Sequence, residues 1–413
     1  MGSVAGNELV IERGEGVHVY DSAGRRYLDA TASLWYCNVG HGRAEIAQAA
    51  MRQMERIETY SAFGDLATAP ALELAERLAS IAPMPEARVF LGSGGGDAID
   101  TAAKLARRYW HELGEPAREV LVSRTRSYHG THGYGTSIAG IPVNREEVGE
   151  LMADTVRVRH DSADALAAEI ERVGAERIAA FFLEPVIGAG GVHPPGEGYV
   201  ERVAEICAQS GILLIVDSVI CGFGRLGGWY GIERWPVTPD MICFAKGVTS
   251  GYLPLGGVVV SGRVAEPFYA EGAPVFRHGA TYAGHATCCA AALANLDILE
   301  REDLVARGRE LEGALHAALA PLAEDPLVAE VRGGIGTLAA VELAPGLLER
   351  VPDAVAQLTA AARRAGVIVR PLASAVAVSP PLTATTGHFA TVGEAVASAL
   401  GELSLAHPDA LPA

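Results

Sequence analysis

DMICFAKGVTSGYLPLGG, residues 240–257, sets one lysine at the end of an apolar run and the start of a glycine-studded turn. MICFA has the length and composition of a buried strand, with no charge inside it. An ammonium is costly to bury. Lys246 therefore either snorkels to water or is paired, deprotonated or covalently occupied. The surrounding sequence bears on that choice.

From Val89 to about Val260 the chain alternates. Strand-like runs (RVFLG, EVLVS, IAAFFLEPV, ILLIVDSV, MICFA, GGVVV) are separated by helical ones such as DAIDTAAKLARRYWHEL and YVERVAEICAQSG. Continuous apolar strands interleaved with amphipathic helices predict an α/β fold with a mostly parallel sheet covered on both faces. Ligands of such sheets bind beyond the carboxyl ends of the strands. Lys246, Asp217, Glu184 and the glycines after Leu91 all fall at strand ends, so they are expected to converge.

Outside this block, GVHVY, a DSAG turn and RRYLDA predict a β-hairpin, and a helix follows over about 44–57. ALELAERLASIA is a second amphipathic helix, ending at Pro83. Beyond Gly284 an apolar helix is expected to about Leu299 and another over 303–322. VAEVRGGIGTLAAVEL then reads as strands, followed by helix, strand and helix to about Leu403. The expected division is a large domain over 51–290 and a small α+β domain over 291–413, which the N-terminal segment 1–50 joins. The tail AHPDALPA reads as frayed.

The 413 residues carry a formal net charge of −17, which argues against nucleic acid or an anionic membrane as partner. No apolar run approaches the roughly 18 residues of a membrane span. The opening MGSVAGNELVIERGEG lacks the basic start and apolar stretch of a secretory signal. The six cysteines form no CxxC pair and no metal-like cluster, so a reducing cytoplasm is the expected location and no metal site is expected.

GSGGGDAIDTAAKLARRYW follows a strand and opens a helix, so the N–H groups of Gly94 to Gly96 together with the helix dipole make an anion site suited to a phosphate. The plainer reading is a glycine turn with Asp97 as N-cap. A literal GxGxxG, Gly222–Gly224–Gly227, follows ILLIVDSV, but GWYGIERWPVTP comes next where a dinucleotide-binding helix should start. Asp217 ends a buried strand and needs a cationic or donor partner. An acid and a lysine at neighbouring strand ends, with a phosphate cradle, are the parts a pyridoxal 5′-phosphate site requires. Tyr128 in SRTRSYHG is placed to stack on a cofactor ring and Val219 to press its other face, with core packing as the alternative for each. His129 reads as a hydrogen-bonded structural histidine.

These pieces carry a resemblance. SLWYCNVGHGR, SYHG, EPVIGAGG, VICGFGRLG, DMICFAKGVTSGYLPLGG and HGATYAGH occur in the order seen in class III, fold-type I, pyridoxal-phosphate aminotransferases. The chain is most similar to the ω-amino acid and amine:pyruvate transaminases, over nearly its whole length. The resemblance implies Lys246 as the Schiff-base lysine and proton carrier, and Asp217 as the partner of the pyridinium. It implies Tyr128 and Val219 against the ring, Gly95 and Gly96 on the phosphate, and Glu184 near the phenolic side. Thr281 would complete the phosphate site from a neighbouring subunit, which implies a homodimer with shared active sites. Trp35 and Tyr36 would form an aromatic wall of the substrate pocket, and Arg370 in GVIVRPL would bind a substrate carboxylate.

Two departures stand out. Gly96 replaces a hydroxyl residue of the family's cradle, which removes a phosphate hydrogen bond of about 1–2 kcal/mol. Ser218 replaces a glutamate after Asp217. Relatives that use 2-oxoglutarate carry a glutamate where this chain has Ala189, so pyruvate is the expected acceptor and a primary amine or ω-amino acid the donor. The rival readings are an aminomutase or racemase of the same fold, a 2-oxoglutarate-dependent aminotransferase, and an NAD oxidoreductase built on Gly222–Gly227.

Overall fold

The computed structural model of the chain describes residues 6 and 8–410, so the last three residues of the AHPDALPA tail lie outside the described residues. The chain divides into two compact units. One comprises residues 45–306; the other joins residues 1–44 to 307–413.

The larger unit is built on a seven-stranded sheet. Its order is Arg88–Gly92, Gly256–Val260, Met241–Phe244, Leu213–Asp217, Ile178–Leu183, Val120–Arg124 and Thr155–Val158. The last five strands are parallel. IAAFFL, LLIVD and MICF are buried at every residue, as central strands covered on both faces must be. The helix Gly95–Glu112 turns Ala98, Ala102, Ala103 and Ala106 into the core shared with Leu121, Ala180, Leu213 and Val258. Small side chains there let the helix approach the sheet closely.

Gly256–Val260 differs from the strands beside it. It runs antiparallel to both Met241–Phe244 and Arg88–Gly92. The link from Phe244 to Gly256 contains only the single-turn 3₁₀ helix Lys246–Val248, too short for the crossover a parallel neighbour requires. The chain has to turn back, and Lys246 sits in that return.

The smaller unit holds two four-stranded sheets. The antiparallel strands Ile11–Glu15, His18–Asp21 and Arg26–Asp29 are joined in parallel by Val367–Ile368. The second sheet has the order Val328–Arg332, Ala339–Leu343, Ala375–Val378, Arg370–Pro371. The helices Glu312–Leu319, Ala354–Arg364 and Thr386–Ala406 pack Leu315, Leu358, Val396 and Leu400 into one core with Val341 and Val376.

Two expectations change. The helix expected over 303–322 is broken into Leu304–Glu310, Glu312–Leu319 and the 3₁₀ turn Ala320–Glu324, with Pro321 in that last turn. The expected boundary after residue 290 falls inside the helix Ala286–Arg301. That helix packs on Ala69–Ser80 of the larger unit, which therefore extends to Ala306.

Candidate active site

In the larger unit the carboxyl ends Gly92, Arg124, Leu183, Asp217 and Phe244 lie along one edge of the sheet, where Gly256 begins the reversed strand. Lys246 follows Phe244 by two residues and is half-buried. Its φ is +49°, an uncommon left-handed conformation for a lysine. Asn295, fully buried on the Ala286–Arg301 helix, donates through Nδ2 to the carbonyls of Gly247 and Val248 at 2.9 and 3.0 Å. The turn that presents Lys246 is thus braced from a helix about fifty residues further along the chain.

Asp217 ends its strand only 5% exposed. Its Oδ2 lies 2.8 Å from His129 Nδ1, and its Oδ1 accepts from the Val219 N–H at 3.0 Å. His129 is itself buried and lies beside Phe182. The histidine is hydrogen-bonded as expected, and its partner is the carboxylate at the centre of the site.

Glu184 holds the neighbouring loop. Its carboxylate accepts from the N–H of Tyr128 at 2.9 Å and of Gly188 at 3.0 Å. Burial pushes its carboxyl above the ordinary value, with the neighbouring His129 working against that shift and Asp217 adding to it. Arg124, also buried, donates to the Glu184 carbonyl. Arg124 and Asn295 carry no signal of their own in the sequence: one ends a strand just ahead of SYHG, the other lies inside an apolar helix.

The glycine turn is packed on the protein side. A Cβ on Gly256 would fall 2.6 Å from the Gly94 carbonyl carbon, and one on Gly95 would fall 3.0 Å from Val219 Cγ1. Nothing lies within 4 Å of a Cβ on Gly94. The helix that starts at Gly95 has no side-chain cap, because Gly94 stands at its N-cap; Asp97, inside the helix, accepts through Oδ2 from the Ser93 N–H. Free main-chain donors, an open flank and a helix start fit a phosphate group. Asp217, Val219 and the Gly95 turn therefore lie within one set of contacts.

Ser218 is fully buried; its hydroxyl donates to the Tyr230 carbonyl at 2.6 Å. Gly222, Gly224 and Gly227 lie in tight turns closed by the N–H of Phe223 to Trp229 O and of Gly224 to Gly228 O. The next element is the short turn Ile232–Arg234, with no helix start for a pyrophosphate. Thr281 is exposed in a turn of the larger unit. Trp35, Tyr36 and Arg370 belong to the smaller unit. There the Arg370 guanidinium stands 4.5 Å over the Trp35 ring, and Ser33 donates to the Tyr36 hydroxyl.

The family model for class-III aminotransferases matches residues 2–400. The putrescine–pyruvate aminotransferase of Pseudomonas aeruginosa is 38% identical, over 90% of this chain and 86% of its own length. An (S)-enantioselective ω-transaminase from Thermomicrobium roseum superposes with a TM-score of 0.93 at 41% identity, covering 97% of this chain and 94% of the other. An amine transaminase from an uncultivated Pseudomonas species, solved in its PLP-bound form, gives a TM-score of 0.92 at 37% identity, covering 97% and 96% of the two chains.

Proposed function

The chain belongs to the class-III aminotransferases, and on that premise we propose that it moves the amino group of a primary amine or ω-amino acid to pyruvate, giving an aldehyde or ketone and alanine. One observation carries the catalytic reading: a lysine presented on a braced turn at the same sheet edge as a buried Asp217–His129 pair and an uncapped glycine helix start. The enzyme uses pyridoxal 5′-phosphate, which when bound supplies an electron sink for the substrate carbon that carries the amine.

Gly95 and Gly96 would hold its phosphate, Asp217 its ring nitrogen, Tyr128 and Val219 its ring faces, Glu184 its phenolic side and Lys246 its aldehyde carbon. Lys246 Nζ would carry the proton off the amine-bearing carbon of the donor and, in the return half-reaction, deliver a proton to the pyruvate carbon that becomes the α-carbon of alanine. His129 keeps the Asp217 carboxylate oriented while it is out of water. Glu184 fixes the backbone at Tyr128.

Trp35, Tyr36 and Arg370 are the proposed substrate-recognition groups. Ala189, which brings no carboxylate to the loop after Glu184, supports pyruvate as acceptor. The proposed assembly is a cytoplasmic homodimer in which Thr281 of one copy completes the phosphate site of the other. Exposed Met51, Met54, Tyr60 and Phe63 on the single chain support such an association. Among the described residues no helix is long and apolar enough to cross a membrane.

The test is an amine panel run against pyruvate and 2-oxoglutarate, reading alanine or glutamate formed. Alanine should dominate, and a preference for 2-oxoglutarate would overturn the acceptor assignment. Lys246→Ala should lose both the visible absorbance of the purified enzyme and nearly all turnover. Retention of both would remove Lys246 from its role.

A further inference from the structure

His132 stands beside the glycine turn, and no role above uses it. A Cβ built on Gly96 would lie 3.1 Å from its ring Cγ and 3.2 Å from its Cδ2 and Nδ1. The ring therefore occupies the space a side chain at position 96 would need. Its backbone is held to the same helix start from two sides. A Cβ on Gly130, whose φ is +85°, would fall 3.0 Å from Gly96 Cα. One turn along, Asp100 Oδ1 accepts from the N–H groups of Tyr134 and Gly135 at 3.0 and 3.2 Å. The segment carrying His132 is thus pinned to the helix that opens at Gly95.

The competing polar groups nearby are committed. Asp97 bonds the Ser93 N–H, and Asp100 caps the short helix Gly133–Ile138. His132 is exposed and makes no capping bond to that helix. An imidazole fixed against a phosphate cradle, in the place of the missing side chain, has the donor chemistry an anion needs.

We propose that His132 is a phosphate-binding residue of the cofactor site, supplying the side-chain donor that Gly96 cannot. The inference rests on the cofactor reading above and adds one residue to it. Gly96 and His132 then form an exchangeable pair: a hydroxyl residue at 96 and an imidazole at 132 compete for one place.

The test measures binding of pyridoxal 5′-phosphate and of unphosphorylated pyridoxal to the cofactor-stripped full chain, by fluorescence titration. His132→Ala should weaken the phosphorylated ligand about tenfold, the worth of one charge-assisted hydrogen bond, and leave pyridoxal unchanged. Adding Gly96→Ser to His132→Ala should recover most of that loss, because removing the ring clears the space for the hydroxyl. His132→Asn, which keeps a donor, should lose less than His132→Ala. Equal affinity of His132→Ala and the parent for the phosphorylated ligand would overturn the proposal. So would a parallel loss for pyridoxal, which would mean that the ring only packs the turn. Lys246→Ala, titrated alongside, reports on the cofactor reading separately through its absorbance.

Discussion

Replacing Asn295 by leucine, close in size and without polar atoms, separates positioning of Lys246 from stability. The change removes two hydrogen bonds and strands the carbonyls of Gly247 and Val248, both buried. At about 2 kcal/mol for each buried acceptor left without its donor, the gross cost is about 4 kcal/mol. Two terms offset it. Asn295 Oδ1 is buried without a partner among the described residues, and its removal returns about 1 kcal/mol. The freed turn can also relax Lys246 from its φ of +49°, which returns about 1 kcal/mol more. The net loss of about 2 kcal/mol corresponds to a melting temperature roughly 4–8 °C lower. The relaxation that spares stability displaces the amine, and a displacement of about 1 Å costs about a hundredfold in rate. Thermal melts of the full chain and kcat/KM for one amine with pyruvate measure the two effects together. A variant that melts lower but keeps kcat/KM within about threefold of the parent would refute the reasoning.

Two further outcomes follow from the contacts described. His129→Phe keeps a ring beside Phe182 but deprives Asp217 Oδ2 of its donor; it should lower stability by about 2 kcal/mol and weaken pyridoxal binding, read by denaturation and titration. In the smaller unit, burial works to raise the Asp29 carboxyl, but hydrogen bonds from His41, Thr31 and Ser33 outweigh it and hold the group below the usual range. A carboxylate so depressed contributes stability above its unfolded value of about 3.9, and that contribution is lost as the pH falls through the lower folded value. Asp29→Asn should therefore melt below the parent at pH 7, with the gap closing in acid. A gap that widens in acid would contradict the sign.

Much of the larger unit was legible because its strands are apolar end to end, so that Asp217, Glu184 and Lys246 stood out as polar residues just past them. The direction of Gly256–Val260 was hidden by composition, since GGVVV looks like any buried strand; the short link after Phe244 held the signal. The pairing of His129 with Asp217 spans 88 residues and follows no local pattern. Asn295 was invisible for a related reason: one amide in an apolar helix means nothing until the carbonyls opposite it are known. Pro321 marked only the closing 3₁₀ turn of the helix expected over 303–322; the break at Leu311 has no such marker, and apolar periodicity ran straight through it.

The reversed strand also sets an order of events during synthesis. Arg88–Gly92 lies at the sheet edge, and its sheet neighbour is Gly256–Val260. As the chain leaves the ribosome, RVFLG and the glycines behind it must wait unpaired until translation has passed Val260. Gly94 meets Gly256 only then. A nascent chain stalled before that point would expose an apolar edge strand to its neighbours on the polysome. The glycine turn proposed to hold the cofactor's phosphate thus closes only after translation has passed Val260, and the Asn295 brace on the Lys246 turn follows later still.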